Sequence, residues 1–181
     1  MNKDNYYLLD TNSFKIFNNF DFNKDELEGW KFFCTSVQMI EIEQYKNVER
    51  RKLLLDVFNK ITPEMVVSPA GYYSLFKYGF GRYPTPENAM ILDSLKQEIM
   101  ERDLINEAKG NKKKSGKNPS DREMNLGADA MILQAAIMLG PRCFVVTTDK
   151  SMKEVCSSNK RVNKIKNASP STLLRKIKNK Q

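Results

Sequence analysis

The sequence predicts an α/β fold in which helices alternate with the strands of a mainly parallel sheet. Three observations predict it. Apolar runs at 6–9, 31–35 and 143–147 have strand length, and each passes into a helical stretch. Cap residues, prolines and glycines punctuate the rest at helix-length intervals. A chain of 181 residues with 40% hydrophobic content fills one core, with no internal repeat or domain boundary.

The elements follow in order. YYLL at 6–9 is a strand ending at Asp10, and DTNSF then offers Asp10, Asn12 and Ser13 as caps for a helix through Phe14 and Phe17. KFFCT at 31–35 is the second strand. Ser36 opens one long helix to about Ile61, with Val37, Ile40, Val48, Leu55 and Phe58 near one stripe and Pro63 as its stop. Residues 65–85, which include SPAGYYSLFKYG, are rich in aromatics, Gly and Pro and define no element. Pro86 opens a helix to about Ala108. KGNKKKSGKN at 109–118 is a loop, and Ser120 caps a helix running to Leu139, where Gly140 and Pro141 stop it. CFVVT at 143–147 is the clearest strand. Short helices follow Asp149 and the Ser169-Pro170 pair.

Composition removes several chemistries. The chain has no histidine, which excludes a Ser-His-Asp triad, a Cys-His nucleophile and imidazole-bound zinc. Cys34, Cys143 and Cys156 are too few for a four-thiolate zinc site, and their odd, sparse use suits a reducing compartment. The start of the chain lacks a signal-peptide pattern, and no apolar run approaches the roughly 20 residues that span a bilayer, so a cytoplasmic protein with no membrane partner is expected.

The net charge of +8 is unevenly distributed. From Lys150 onward there are ten basic residues and one acid, a net of +9, whereas the first 149 residues carry a net of −1. Residues 109–118 add a cluster of five lysines. Dense positive charge beside a near-neutral body suits a polyanion such as nucleic acid, although lysine-rich tails are as often merely solvated.

Four acids stand where acids need explaining. Asp10 and Asp149 each follow an apolar strand, at the end where parallel α/β sheets place their ligand crevice. Each alone reads as a helix cap. Asp129 lies in LGADAMILQAAIML, whose only other polar side chain is Gln134, and a lone carboxylate in a helix apolar all round requires a partner or a cation. Glu41 and Glu43, two residues apart, point to nearly opposite sides of their helix, and only one can join a shared site. Carboxylates gathered in one cleft repel unless a cation neutralises them, and an all-oxygen donor set suits Mg²⁺ or Mn²⁺. Such ions assist phosphodiester hydrolysis, which meets the basic clusters on one substrate class, nucleic acid.

Taken together, these motifs resemble the PIN domain nucleases. YYLLDTNSF supplies the strand ending in Asp-Thr-Asn, CTSVQMIEIEQ the strand, Ser36 and an acid in the next helix, GADAMILQAAIMLG the Asp-Ala pair, and FVVTTDKSM the strand ending in Thr-x-Asp. The resemblance covers about residues 5–60 and 120–155 and favours Glu41 over Glu43. It implies a three-layer fold with a central, mainly parallel sheet. A single domain would span 1–160, with an insertion at about 62–118, and a basic tail or helix would follow at 161–181. It further implies an Mg²⁺- or Mn²⁺-dependent ribonuclease in which Asp10, Glu41, Asp129 and Asp149 are both catalytic and metal-ligating. Thr11, Asn12 and Thr147 are then substrate-contacting or supporting groups, and Asp121, two turns before Asp129, stays outside the core set. Implied partners are RNA, with DNA not excluded, a second copy of the chain and, for the toxin subgroup of toxin–antitoxin pairs, an antitoxin protein. Two readings compete: a catalytically silent nucleic-acid-binding or regulatory PIN-like module, and a phosphate-transfer fold of the receiver or haloacid type. The haloacid pattern requires Asp-x-Asp-x-Thr, and DTNSF lacks the second Asp.

Overall fold

The computed structural model describes residues 4–20, 23, 25–61, 63–66, 85–110, 119–159 and 165–179. In chain order the elements are β1 (Tyr6–Leu9), α1 (Thr11–Phe17), β2 (Lys31–Thr35), α2 (Ser36–Glu43), α3 (Val48–Ile61) and β3 (Glu64–Val66). There follow α4 (Pro86–Ala108), α5 (Pro119–Leu139), β4 (Cys143–Val146), α6 (Lys150–Ser158), β5 (Lys166–Ala168) and α7 (Pro170–Lys178). Among the described residues five strands form one sheet in the order β3-β2-β1-β4-β5, and every pairing is parallel. The chain steps outward from β1 through β2 to β3, then returns across the sheet to place β4 on the other side of β1. The strand order therefore reverses between β1 and β4.

Side chains alternate across the sheet with the period of two that strands impose. Tyr7, Leu9, Phe32, Cys34, Phe144 and Val146 face one layer, where they meet Phe14 and Phe17 of α1, Leu54 and Phe58 of α3, and Leu173, Leu174 and Ile177 of α7. Leu8, Cys143 and Val145 face the other, against Leu95 and Ile99 of α4, Met131 and Leu133 of α5, and Met152 and Val155 of α6. Three layers result, with the sheet in the middle. The Tyr7 ring stacks on Phe144 at 5.7 Å between centroids and fastens β1 to β4. All three cysteines are buried and unbridged, and burial pushes each thiol up to about 12, so none serves as a thiolate. Among the described residues no helix is long and apolar enough to cross a membrane.

Three expectations change. The single helix from Ser36 to Ile61 is two helices. Thr35 caps the first, with Gln38 closing a capping box, and Asn47 starts the second by accepting from the backbone N–H of Arg50 (2.8 Å). The apolar stripe does not run through: Val48 is 63% exposed, and Leu54, Val57, Phe58 and Ile61 bury α3 instead. Strands β3 and β5 were not legible, each being only three residues long.

The third change concerns the basic C-terminal segment. Its described part is no appended tail. β5 pairs with β4, the backbone N–H of Thr147 bonds to Ala168 O (3.1 Å), and α7 buries Leu173, Leu174 and Ile177 in the core it shares with α1. Ser169 caps α7 and Pro170 occupies its first turn, as the sequence predicts. Residues 67–84 and 111–118, which hold most of the aromatic segment and of the lysine loop, lie outside the described residues.

Truncating Leu174 tests this placement. Leu174→Ala is expected to lower unfolding free energy by about 2–5 kcal/mol in urea titrations, the range for a fully buried leucine. A change near zero would return 165–179 to the status of an independent tail.

Candidate functional site

In parallel α/β sheets the ligand crevice lies beyond the carboxyl ends of the strands where their order reverses. Here that point lies between β1 and β4, and a cavity of about 570 Å³ opens there. Its lining includes Asp10 from the end of β1, Glu41 from α2, Asp129 from α5 and Asp149 from beyond β4. Four acids spread over 140 positions of sequence thus share one cavity. Thr11 and Asn12 line it as well.

Asp10 is 4% exposed. Its backbone caps α1, but its side chain makes no capping bond and turns instead to Thr147, whose hydroxyl donates to Oδ2 at 2.8 Å. Asn12 Nδ2 donates to the same oxygen at 3.3 Å. Burial holds the carboxyl above its ordinary 3.8; the bonds from Thr147 and Asn12 pull it down, and the charge of Asp149 pushes it up again.

Thr147 is wholly buried and is not among the residues lining the cavity, so of its two expected roles, supporting group or substrate contact, its position fits the supporting one. While donating to Asp10 it accepts from the backbone N–H of Asp149 (2.9 Å), so one hydroxyl positions both strand-end acids. Asp149 caps α6, its Oδ1 accepting from the N–H of Met152 at 2.9 Å. The capping role that competes with function is therefore real for Asp149 and absent for the Asp10 side chain.

Glu41 and Glu43 separate as helix geometry requires: half-buried Glu41 lines the cavity and accepts from the Thr11 hydroxyl, and Glu43 is exposed outside the lining. Asp129 shares the face of Ile132 and Leu133, as the spacing predicts, yet those two are buried and Asp129 is only half-buried. The N-terminal half of α5 emerges into the cavity, so solvent reaches its carboxylate. The side chain of Asp121 lies outside the described residues.

Sequence reasoning missed several lining groups. From α4, in the segment without assigned function, come Asp103 and Glu107; from α5 come Arg122 and Asn125; from α1 comes Lys15, and from the break after α2 come Gln44, Tyr45 and Lys46. Asp103 is buried and accepts from the Ser151 hydroxyl at 2.5 Å. A signal for it existed. The buried stripe of α4 runs Leu92, Leu95, Ile99 and then Asp103 and Asn106, so polar side chains occupy core positions at the end nearest the cavity. Arg122 pairs with Glu107 at 3.5 Å, and its Nη2 is buried with no hydrogen-bond partner among the described residues.

The lining holds six acids and three bases, Lys15, Lys46 and Arg122. In kind the donors fit a hard divalent cation, because every strong ligand is a carboxylate oxygen. In arrangement, among the described residues no three acids or thiols stand as a ready-made metal-ligating group. Asp10, Glu41, Asp103 and Asp149 each accept a hydrogen bond from their own surroundings, which helps to fix the direction of the carboxylate.

The fold and cavity define a class: a three-layer, all-parallel α/β protein with an acidic crevice at the reversal of strand order. Comparison of the chain with family models, curated proteins and solved structures returns no match, and the class rests on the structure alone.

The raised Asp10 pKa has a measurable sign. A carboxyl that holds its proton more tightly folded than unfolded loses stability for the protein as pH rises from 3.8 through its folded value. In EDTA, Asp10→Asn is therefore expected to melt higher than wild type at neutral pH, with the gap closing in acid below the ordinary carboxylate range. A variant melting lower at neutral pH would show that the carboxylate stabilises the fold.

Proposed function

We propose that this protein is a metal-dependent ribonuclease of the PIN type, which hydrolyses phosphodiester bonds in the acidic cavity. One observation carries the reading: Asp10, Glu41, Asp129 and Asp149, the acids that the PIN motifs single out, line the same cavity although they come from four separate elements. A parallel sheet and a crevice at its strand-order reversal support the reading further.

Bound Mg²⁺ or Mn²⁺ would supply a Lewis acid for the phosphate and a water of lowered pKa. Asp10, Glu41, Asp129 and Asp149 would hold it. Thr147 orients Asp10 from behind, and the Thr11 hydroxyl orients Glu41. Arg122, Lys15 and Lys46 offer positive charge along the cavity walls, where a phosphate backbone must approach six acids. Lys150, Lys166, Arg175, Lys176 and Lys178 are exposed on the C-terminal elements or close to their ends and extend the attraction to a long polyanion. RNA as substrate, a homodimer and an antitoxin partner belong to the resemblance, a cytoplasmic location to the sequence pattern, and all four are part of the proposal. The silent-module reading draws on the capping bond of Asp149, which gives one acid a structural duty.

Incubation with labelled RNA and Mn²⁺ separates the two. Cleavage is expected, blocked by EDTA, slowed about 10–100-fold in Thr147→Val, as for residues that support a metal ligand, and slowed further in Asp10→Asn and Asp129→Asn. Tight binding without cleavage, whatever the divalent cation, would establish the silent module. On the basic face, Arg175→Gln with Lys176→Gln is expected to flatten the dependence of log affinity on log salt by about 0.7 for each phosphate left without its cation. An unchanged slope would remove α7 from the interface.

A further inference from the structure

Between α2 and α3 the chain leaves the helix over residues 44–47, and this break presents Tyr45 and Lys46 to the cavity. Tyr45 packs against the core cluster around Phe14 and Phe58 and is half-buried. Two cations attend it: Lys15 Nζ and the Arg50 guanidinium each lie 5.3 Å from the ring centroid. Lys15 also donates to Asn12 Oδ1 at 3.1 Å, and Asn12 donates to Asp10 at 3.3 Å. A continuous chain of contacts therefore runs from the aromatic ring to the most deeply buried acid of the site.

We propose that Tyr45, flanked by Lys15, Lys46 and Arg50, is a stacking platform for one base of a single-stranded nucleic acid lying across the acidic cavity. An aromatic ring attended by cations is how proteins hold single strands: a base takes a ring face from the cation that lies over it, and that cation turns to the adjoining phosphate. A base inside a duplex has both faces covered by its neighbours and offers no surface to such a ring. The platform adjoins Asp10 through Lys15 and Asn12, so a stacked base sets the neighbouring phosphate toward the acids. The proposal deepens the nuclease reading and rests on it for what happens to that phosphate, while base binding itself needs no cleavage.

Fluorescence anisotropy of the full chain, in Ca²⁺ to neutralise the acids, tests it, with a short fluorescein-labelled single-stranded RNA, the same sequence as DNA, its duplex, and a strand of abasic nucleotides. Tyr45→Leu, which retains apolar packing but no π face, is expected to weaken both single strands about tenfold. Tyr45→Phe restores their binding, and duplex and abasic affinities do not respond to either change. A 2-aminopurine scan along the strand gives a second readout in the wild type: quenching at one position is expected. Single-strand affinity unchanged in Tyr45→Leu, equal losses with duplex and abasic strands, or no quenching at any position would overturn the proposal. Tyr45-dependent binding without cleavage in Mn²⁺ would remove only the nuclease reading, and cleavage with Tyr45-independent binding only the platform.

Discussion

The site depends on the parallel pairing of β1 with β4. The register aligns Leu9 with Val146, so both strands stop at the same level and release Asp10 and then Asp149 at one edge of the sheet. Neither acid reaches the other by local folding, since 139 positions separate them. Thr147 turns this proximity into a unit through its bonds to Asp10 and to the Asp149 backbone. Ser13 of α1 adds a bond to Val146 O and ties the helix that carries Asn12 to the same strand end.

That arrangement concentrates negative charge where the protein can least solvate it. Asp10 is buried beside Asp149, and its hydrogen bonds do not offset the loss of water. Functional sites commonly store instability of this kind, because the geometry that chemistry needs is not the geometry that folding favours. A proton or a cation relieves it. The three bases of the lining stand opposite six acids, so the cavity retains a surplus of negative charge that phosphate alone would worsen. In the proposed nuclease a divalent ion between acids and phosphate would reconcile the two, and the exposed lysines of the C-terminal elements would act on the remainder of the polyanion.

Much of this was legible in the sequence, for identifiable reasons. Asp129 interrupts an apolar helix in plain view, and Asp10 and Asp149, each alone a plausible cap, stand out as a pair of acids at strand ends. The helices starting at Pro86 and Pro170 announced themselves through caps. Other features are set by contacts that one-dimensional pattern does not carry. KNA at 166–168 has no strand alternation and becomes β5 only by pairing with β4. Tyr45 was hidden inside an apparently continuous helical period, because Asn47 breaks the helix through a cap rather than through a Pro or Gly. Asp103 was masked by the charged residues around it on α4, although its position in the buried stripe marked it. Thr147 was visible as a residue of interest, but its direction was not: it faces Asp10 from the interior and supports the site from behind.

In the proposed nuclease Asp10, Glu41, Asp129 and Asp149 act together as one cation site at the β1–β4 reversal. Crystals soaked in Mn²⁺ and measured for anomalous scattering test it most directly. A peak inside the cavity, with Asp10 and at least one of the other three carboxylates in contact with it, is the expected result. A cavity without a peak at saturating Mn²⁺, or a peak held elsewhere by surface acids, would contradict it.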